Sequence, residues 1–307
     1  MRAILFEIVK SFVTNLFLPL AFLLWLAKGT YSSTLEWLLA LLGLGTYVVY
    51  VFIAGQWLWF GYYARFAMLG ALLLATLRSC GAAGGLPLFD DLPLKGGAGA
   101  LLLLIFGPVT ALALRGYRHR RKAIEAFFPL RNGLYYVAQG GNSVIINHHN
   151  PAPPTRFALD IVKLNRVGLR ARGIYPRDLG QYAIYGETVY SPADGTVVAA
   201  VGHLPDLTPP ERDQGNPPGN HIVVKYASAS GYILLAHLQT GSVLVREGQT
   251  VNRGQAVARV GNSGNTDEPH LHIHCTTGTA DDLVHGGEGV ALLFDGRFLG
   301  RNNVVKC

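Results

Sequence analysis

The chain has 307 residues, a formal net charge of +7 and a pI near 9.4; 50% of its residues are hydrophobic and only 15% are charged. Soluble domains carry about 25% charged residues, so the composition argues against a purely water-soluble protein. The basic excess does not point to nucleic acid, because much of it lies in one run, RGYRHRRK (115–122), with no basic–aromatic recognition module after it.

Four apolar segments occupy the first 114 residues. SFVTNLFLPLAFLLWLA (11–27), WLLALLGLGTYVVYVFIAGQWLWF (37–60) and GAGALLLLIFGPVTALAL (97–114) carry no charge, and YYARFAMLGALLLATL (62–77) carries only Arg65. A bilayer core of about 30 Å takes roughly 20 apolar residues per helix. Four transmembrane helices are therefore predicted, with the second and third joined by a tight hairpin around Gly61–Arg65. The first segment lacks a small-residue cleavage site and precedes further spans, so it reads as an anchor rather than a signal peptide. The lipid bilayer is thus the first expected partner. Residues 115–122 read as a topogenic anchor for anionic headgroups. The whole stretch 115–132, where bases alternate with Ala, Ile and Phe127–Phe128, is predicted as a short amphipathic juxtamembrane helix.

From Gly133 onward the hydrophobic pattern has period two. GLYYVAQGG, NSVIINHH, RFALDIVKL, TVYSPADGTVVAAV, NHIVVKYAS, GYILLAHL, SVLVREGQTV and AVARVGNSG are short β-branched and aromatic runs separated by Gly, Pro, Asn and Asp. Residues 133–307 are therefore predicted as an all-β domain, an antiparallel sheet or sandwich. HLPDLTPPERDQGNPPGN (203–220) holds five prolines and two glycines and reads as a long surface loop. Three cysteines, Cys80, Cys275 and Cys307, make no disulfide framework.

Histidines are confined to the second part of the chain. Of ten, one lies in the basic run (His119) and the other nine fall from His148 to His285. Successive side chains on a strand alternate faces, so His270, His272 and His274 of PHLHIH share one face while Leu271 and Ile273 face a core. Asp160 interrupts an apolar run between Leu159 and Ile161, where a carboxylate needs a partner or a metal. His148 and His149 end one run and His237 closes another. Two histidines and an aspartate form the N/O ligand set of a catalytic zinc, which keeps a fourth position for water. The remaining histidines suit acid–base and oxyanion roles.

These residues carry a family resemblance. SPADGTVVAAV (191–201) is similar to the strand–turn–strand entry of the lysostaphin/LytM-type zinc metallopeptidases, which cleave bacterial cell-wall peptides. AHLQTGSVLVREGQTVNRGQAVARVGNSGNTDEPHLHIH (236–274) resembles their most diagnostic stretch, with its His–Leu pair, glycine- and valine-rich hairpin, G-N-S-G loop and closing H-L-H. The resemblance covers about residues 133–290. It implies one zinc per chain held by His149, Asp160 and His272, with His148 the alternative to His149, and it implies His237 and His270 as the catalytic pair. The family motif has three residues between its first two ligands where this chain has ten, so HNPAPPTRF must loop out. Asn262, Ser263 and Asn265 are candidates for a groove that takes small-residue peptides. His274 has no counterpart, and a supporting or solvent-facing role is expected.

The implied function is a membrane-anchored zinc metalloendopeptidase acting on peptidoglycan stem peptides or cross-bridges. The alternative is a catalytically inactive, peptidase-like scaffold or regulator of envelope enzymes, which a missing ligand would mark. VREGQTVNRGQAVARVG also resembles the hairpins of biotinyl/lipoyl carriers, but it presents Asn252–Arg253 where those present a lysine. Orientation brings two expectations into conflict. With the N-terminus inside, eight basic residues (Arg2, Lys10, Arg65, Arg115, Arg118, Arg120, Arg121, Lys122) face three (Lys28, Arg78, Lys95), which puts the β domain in the cytoplasm. A wall peptidase in the cytoplasmic (inner) membrane of a bacterium faces outward, and that expectation takes precedence.

Overall fold

The computed structural model describes residues 2–90, 94–119, 122–226, 231–277 and 286–307. They form two compact units, Met1–Leu114 and Arg115–Cys307. The first contains helices α1 (Arg2–Phe12), α2 (Leu18–Lys28), α3 (Thr34–Ala54), α4 (Ala64–Ala83) and α5 (Leu94–Arg115). A π-helical stretch, Val13–Phe17, joins α1 to α2, so Ile4–Lys28 runs as one 25-residue apolar helix. Widening to π geometry leaves carbonyls without their usual partner, and the Tyr47 hydroxyl donates to Thr14 O at 2.7 Å. With Thr34–Ala54, Ala64–Ala83 and Gly96–Arg115, four helices are long and apolar enough to cross a membrane.

The third of these runs further than its apolar stretch, 62–77, suggests. Nothing in the chain breaks the helix at Arg78, and it ends only before Gly84–Gly85, where Gly85 adopts φ +85°. The second is shorter than expected. α3 stops at Ala54, and Trp57–Trp59 forms a 3-10 turn, with the buried Trp57 indole donating to Val51 O at 3.0 Å. The α3–α4 connection thus lies before Arg65. Helix α3 starts on a capping arrangement, in which Ser33 Oγ accepts from Glu36 N and Glu36 Oε2 accepts from Ser32 N. Helices α3 and α5 meet backbone to backbone: a Cβ on Gly43 would lie 2.1 Å from Gly99 O, and one on Gly99 would lie 2.4 Å from Leu39 O. Small residues allow this approach where lipid supplies no hydrophobic drive between helices.

The second unit is all-β. Its strands are β1 (Ala123–Ala126), β2 (Leu134–Gln139), β3 (Leu159–Leu164), β4 (Thr188–Tyr190), β5 (Gly195–Val201), β6 (Asn220–Tyr226) and β7 (Tyr232–Leu238). They continue as β8 (Thr250–Val251), β9 (Ala256–Arg259), β10 (Leu271–Thr276), β11 (Gly289–Phe294), β12 (Arg297–Phe298) and β13 (Val304–Lys306). The main sheet runs β13-β2-β3-β10-β7-β6-β5-β8, antiparallel between neighbours, and β4 pairs with β9 apart from it. Alternation sorts its two faces. Leu159, Ile161, Ile222, Val224, Ile233, Leu235, Leu271 and Ile273 enter the main core, whereas Val223, Leu234 and Ala236 cluster on the other face.

Two expected elements differ. Beyond Arg115, the stretch 115–132 is no helix among its described residues; Arg120 and Arg121 lie outside them. Helix α5 ends at Arg115, and Ala123–Ala126 pairs in parallel with β11, Ala123 opposite Ala291. Ile124, Ala126, Phe128 and Leu130, at alternate positions, are buried in the core. This is a strand period in a stretch whose charges suggested a helix. NSVIINHH is a series of turns rather than a strand, because the side chain of Asn147 claims the backbone carbonyls of its neighbours.

Candidate active site

Three adjacent strands supply the site. Asp160 on β3 stands opposite His272 on β10, and His272 stands opposite Ala236 on β7. Because Leu271 and Ile273 are committed to the core, His272 and His274 must lie on the other face, beside Asp160. Nδ1 of His272 lies 2.9 Å from Oδ1 of Asp160, and Nε2 of His149 lies 3.1 Å from both carboxylate oxygens. Nε2 of His270 is 3.6 Å from Oδ1. Burial pushes the Asp160 carboxyl up, but His149, His270 and the hydrogen bonds from His149 and His272 outweigh it and hold it well below the usual carboxylate range. Burial likewise opposes charge on His149, yet the Asp160 carboxylate raises its pKa.

The loop before β3 brings His149 in. Asn147 is fully buried, and its amide lies 2.9 Å from Gly141 O and 3.2 Å from both Arg156 O and Ala158 O, while its Oδ1 accepts from His149 N. The ten-residue excursion is thereby tied back so that His149 meets Asp160. His148 is exposed and stacks on His149 at 3.9 Å between ring centroids. Arg301 from the C-terminal segment braces the end of β2, donating to Ala138 O at 3.2 Å and to Gln139 Oε1 at 2.5 Å, and Gln139 Oε1 in turn accepts from His148 N of the loop. The roles of Asn147 and Arg301 escaped the sequence reading; an Asn inside an apolar run was the only signal.

His237 reaches the site by breaking alternation. Its place in β7 would point it into the core, but the β6–β7 register slips beside it, and His237 adopts φ +62°. Among the described residues the other non-glycine positions at positive φ are Asn132, Asp295 and Asn302, types that tolerate turns. A bulge of this kind re-aims a side chain. Here it sets the His237 ring 4.8 Å from that of His270 and 5.9 Å from that of His272. Nδ1–H of His237 donates to Ser263 O and Nδ1–H of His270 to Glu268 O, each at 2.9 Å. Burial, with His270 and His272 nearby, keeps the pKa of His237 well below its usual value.

A cavity of about 330 Å³ opens over these groups, walled by Ala152 and Thr155, by Pro217 and Pro218, and by Leu234, Ala236 and Asn265. Of the three residues expected to line a groove, only Asn265 does so. Asn262 is buried and donates to Leu207 O at 2.6 Å; Ser263, also buried, donates to Leu238 O and accepts from Asn220 N, each at 2.8 Å. Both build the loop instead of facing a ligand. His274 is buried against the site, its Nδ1 3.0 Å from Nε2 of His272.

The donor chemistry suits zinc. Two imidazole nitrogens and a carboxylate converge, and bonds of about 2.0–2.2 Å in a tetrahedral shell place neighbouring donors roughly 3.3 Å apart, close to the spacing found. Two separate groups, His237–His270–His272 and His148–His149–Asp160, each have their donor atoms within 4.8 Å of one another, and His149, Asp160 and His272 are drawn from both.

Fold and site together describe an antiparallel β domain with a histidine–aspartate cluster. Residues 180–282, about a third of the chain, match the model of peptidase family M23. His149 and Asp160 lie outside the matched residues and join the others through the geometry alone. Over 87 residues the chain is 32% identical to the peptidoglycan DD-endopeptidase ShyA of Vibrio cholerae, covering 28% of this chain and 17% of that protein's length. Among solved structures, a zinc-containing peptidase from Vibrio cholerae is 24% identical over 38% of this chain and 46% of that one (TM-score 0.24). The catalytic domain of lysostaphin from Staphylococcus simulans is 21% identical over 34% of this chain and 76% of that one (TM-score 0.19).

Proposed function

We propose that the chain is a membrane-anchored zinc metalloendopeptidase that hydrolyses peptide bonds in peptidoglycan stem peptides or cross-bridges. The observation that carries this reading is the convergence of His149, Asp160 and His272, with His237 and His270 beside them, in a domain matched to peptidase family M23. His149, Asp160 and His272 would hold one zinc ion, which when bound supplies an acidified water and polarises the scissile carbonyl.

The chain's own residues supply proton transfer and shape. A neutral histidine whose hydrogen sits on Nδ1 has only the Nε2 lone pair free. The Ser263 and Glu268 carbonyls fix this tautomer in His237 and His270. Burial keeps His237 neutral at rest, so its Nε2 lone pair is unprotonated. Once protonated, either ring donates from the same atom to a developing oxyanion or a departing nitrogen. Neutral walls of Ala, Pro, Leu and Thr exclude water around the bound peptide. An inactive scaffold would be marked by a missing group, and here each role has a residue in place.

The test is digestion of purified muropeptides by the full-length chain in detergent. Release of new peptide ends, reduced about 100-fold or more in His237→Ala and in His270→Ala, supports the reading. Absence of cleavage by the wild-type chain overturns it in favour of the scaffold. This substrate also requires the β unit to face away from the cytoplasm, against the count of basic residues.

A further inference from the structure

The two residues before Pro269–His270 are held from three directions. Arg170 forms a two-pronged pair with Glu268, Nε to Oε1 and Nη2 to Oε2, each at 2.7 Å, and Nη2 also reaches Ile174 O at 2.9 Å. The Tyr175 hydroxyl donates to Asp267 O at 2.7 Å, and Arg212 pairs with the Asp267 carboxylate. Glu268 then turns its own carbonyl to the site, where it accepts from Nδ1 of His270 and from the Thr266 hydroxyl, both at 2.9 Å. The group that fixes the hydrogen of His270 therefore belongs to the residue whose side chain is anchored.

The anchor is deeply placed: the Arg170 side chain is 2% exposed and that of Glu268 13%. Buried ion pairs add little net stability, since desolvation consumes most of the attraction. What a planar guanidinium fork adds is geometry, because two parallel bonds define both position and orientation of the carboxylate. Arg170 and Tyr175 also precede residues 180–282, the stretch matched to peptidase family M23. This chain's own 165–178 segment thus reaches over to hold the loop that presents His270.

We infer that Arg170, through its pair with Glu268, is a positioning residue for His270: it fixes the Glu268 carbonyl, which keeps the hydrogen of His270 on Nδ1 and its Nε2 turned to the histidine–aspartate cluster, 3.6 Å from Oδ1 of Asp160. The inference rests on the proposed catalytic role of His270. A displaced carbonyl would let the ring rotate or exchange tautomers, and a misplaced proton acceptor slows the chemical step without weakening substrate binding.

The test uses the full-length chain in detergent micelles with ¹⁵N-labelled histidine, the His270 signals being assigned by their loss in His270→Ala. The main variant is Arg170→Met with Glu268→Leu, which leaves no unpaired buried charge. In the wild type the His270 nitrogens should show the Nδ1–H tautomer, and in the double variant an averaged pattern. Muropeptide cleavage by the double variant should lose about 10- to 100-fold in kcat at unchanged KM, with zinc content unchanged and no further loss when the change is made on His270→Ala. Should the double variant fail to fold, Arg170→Lys, which keeps the charge and loses the fork, should shift the His270 signals part of the way. An unchanged His270 pattern, or a kcat loss that persists in the His270→Ala background, overturns the inference. A wild type that cleaves nothing while its His270 pattern still responds to the double change removes the peptidase reading and leaves the positioning role intact.

Discussion

Asp160 is the point on which the site turns, since three histidines, one on a strand and two on loops, approach one buried carboxylate. Period-two reading of PHLHIH put His270, His272 and His274 on one face and left them equivalent. Their separation into roles depends on register, which sets Asp160 opposite His272, and register between distant strands is not written in either strand alone. The place of His274 was equally hidden. Nε2 of His272 lies 3.0 Å from Nδ1 of His274; with Nδ1 of His272 given to a metal, Nε2 would carry the hydrogen and donate there, and such outer partners fix the ring orientation of metal ligands. His274→Ala should therefore weaken zinc binding about 10- to 100-fold, read by competition with a chromogenic chelator, while zinc-saturated protein keeps most of its cleavage rate. Unaltered affinity would show that His274 does not support His272.

At the scale of elements, apolar runs and alternation revealed most strands and all four long helices. What they missed came from side chains that redirect the backbone and from pairing between remote segments. Asn147 bends NSVIINHH into turns, a bulge turns His237 out of the core, and β1 gains its strand form from β11. In the helical unit the closest constraint is the Gly43–Gly99 approach. Gly43→Leu should lower the melting temperature of the detergent-solubilised chain by several degrees, whereas Gly45→Leu, with nothing within 4 Å of its added Cβ, should leave it nearly unchanged. Equal effects would mean that α3 and α5 do not depend on this contact. In the β unit, a shared ion would join β3, β10 and the 141–158 loop. Chelation should therefore lower the unfolding free energy, by about 4 kcal/mol if free zinc had stood a thousandfold above its Kd, and added zinc should restore it. A denaturation midpoint indifferent to chelator would rule out that coupling.

For the molecule as a whole, the chain divides after Leu114 into an apolar helical unit and a histidine-rich β unit. Charge distribution and proposed substrate disagree about orientation, because the basic run after the last helix favours retention in the cytoplasm while peptidoglycan lies beyond the membrane. A reporter fused after Cys307 should be active outside the cytoplasm only; activity confined to the cytoplasm would remove peptidoglycan as the substrate. The central claim, that His149, Asp160 and His272 form a zinc centre, is tested most directly by elemental analysis of the purified full-length chain. The account predicts about one zinc per chain in the wild type and almost none in Asp160→Ala or His272→Ala. A wild type without zinc, or variants that keep it in full, would contradict the account.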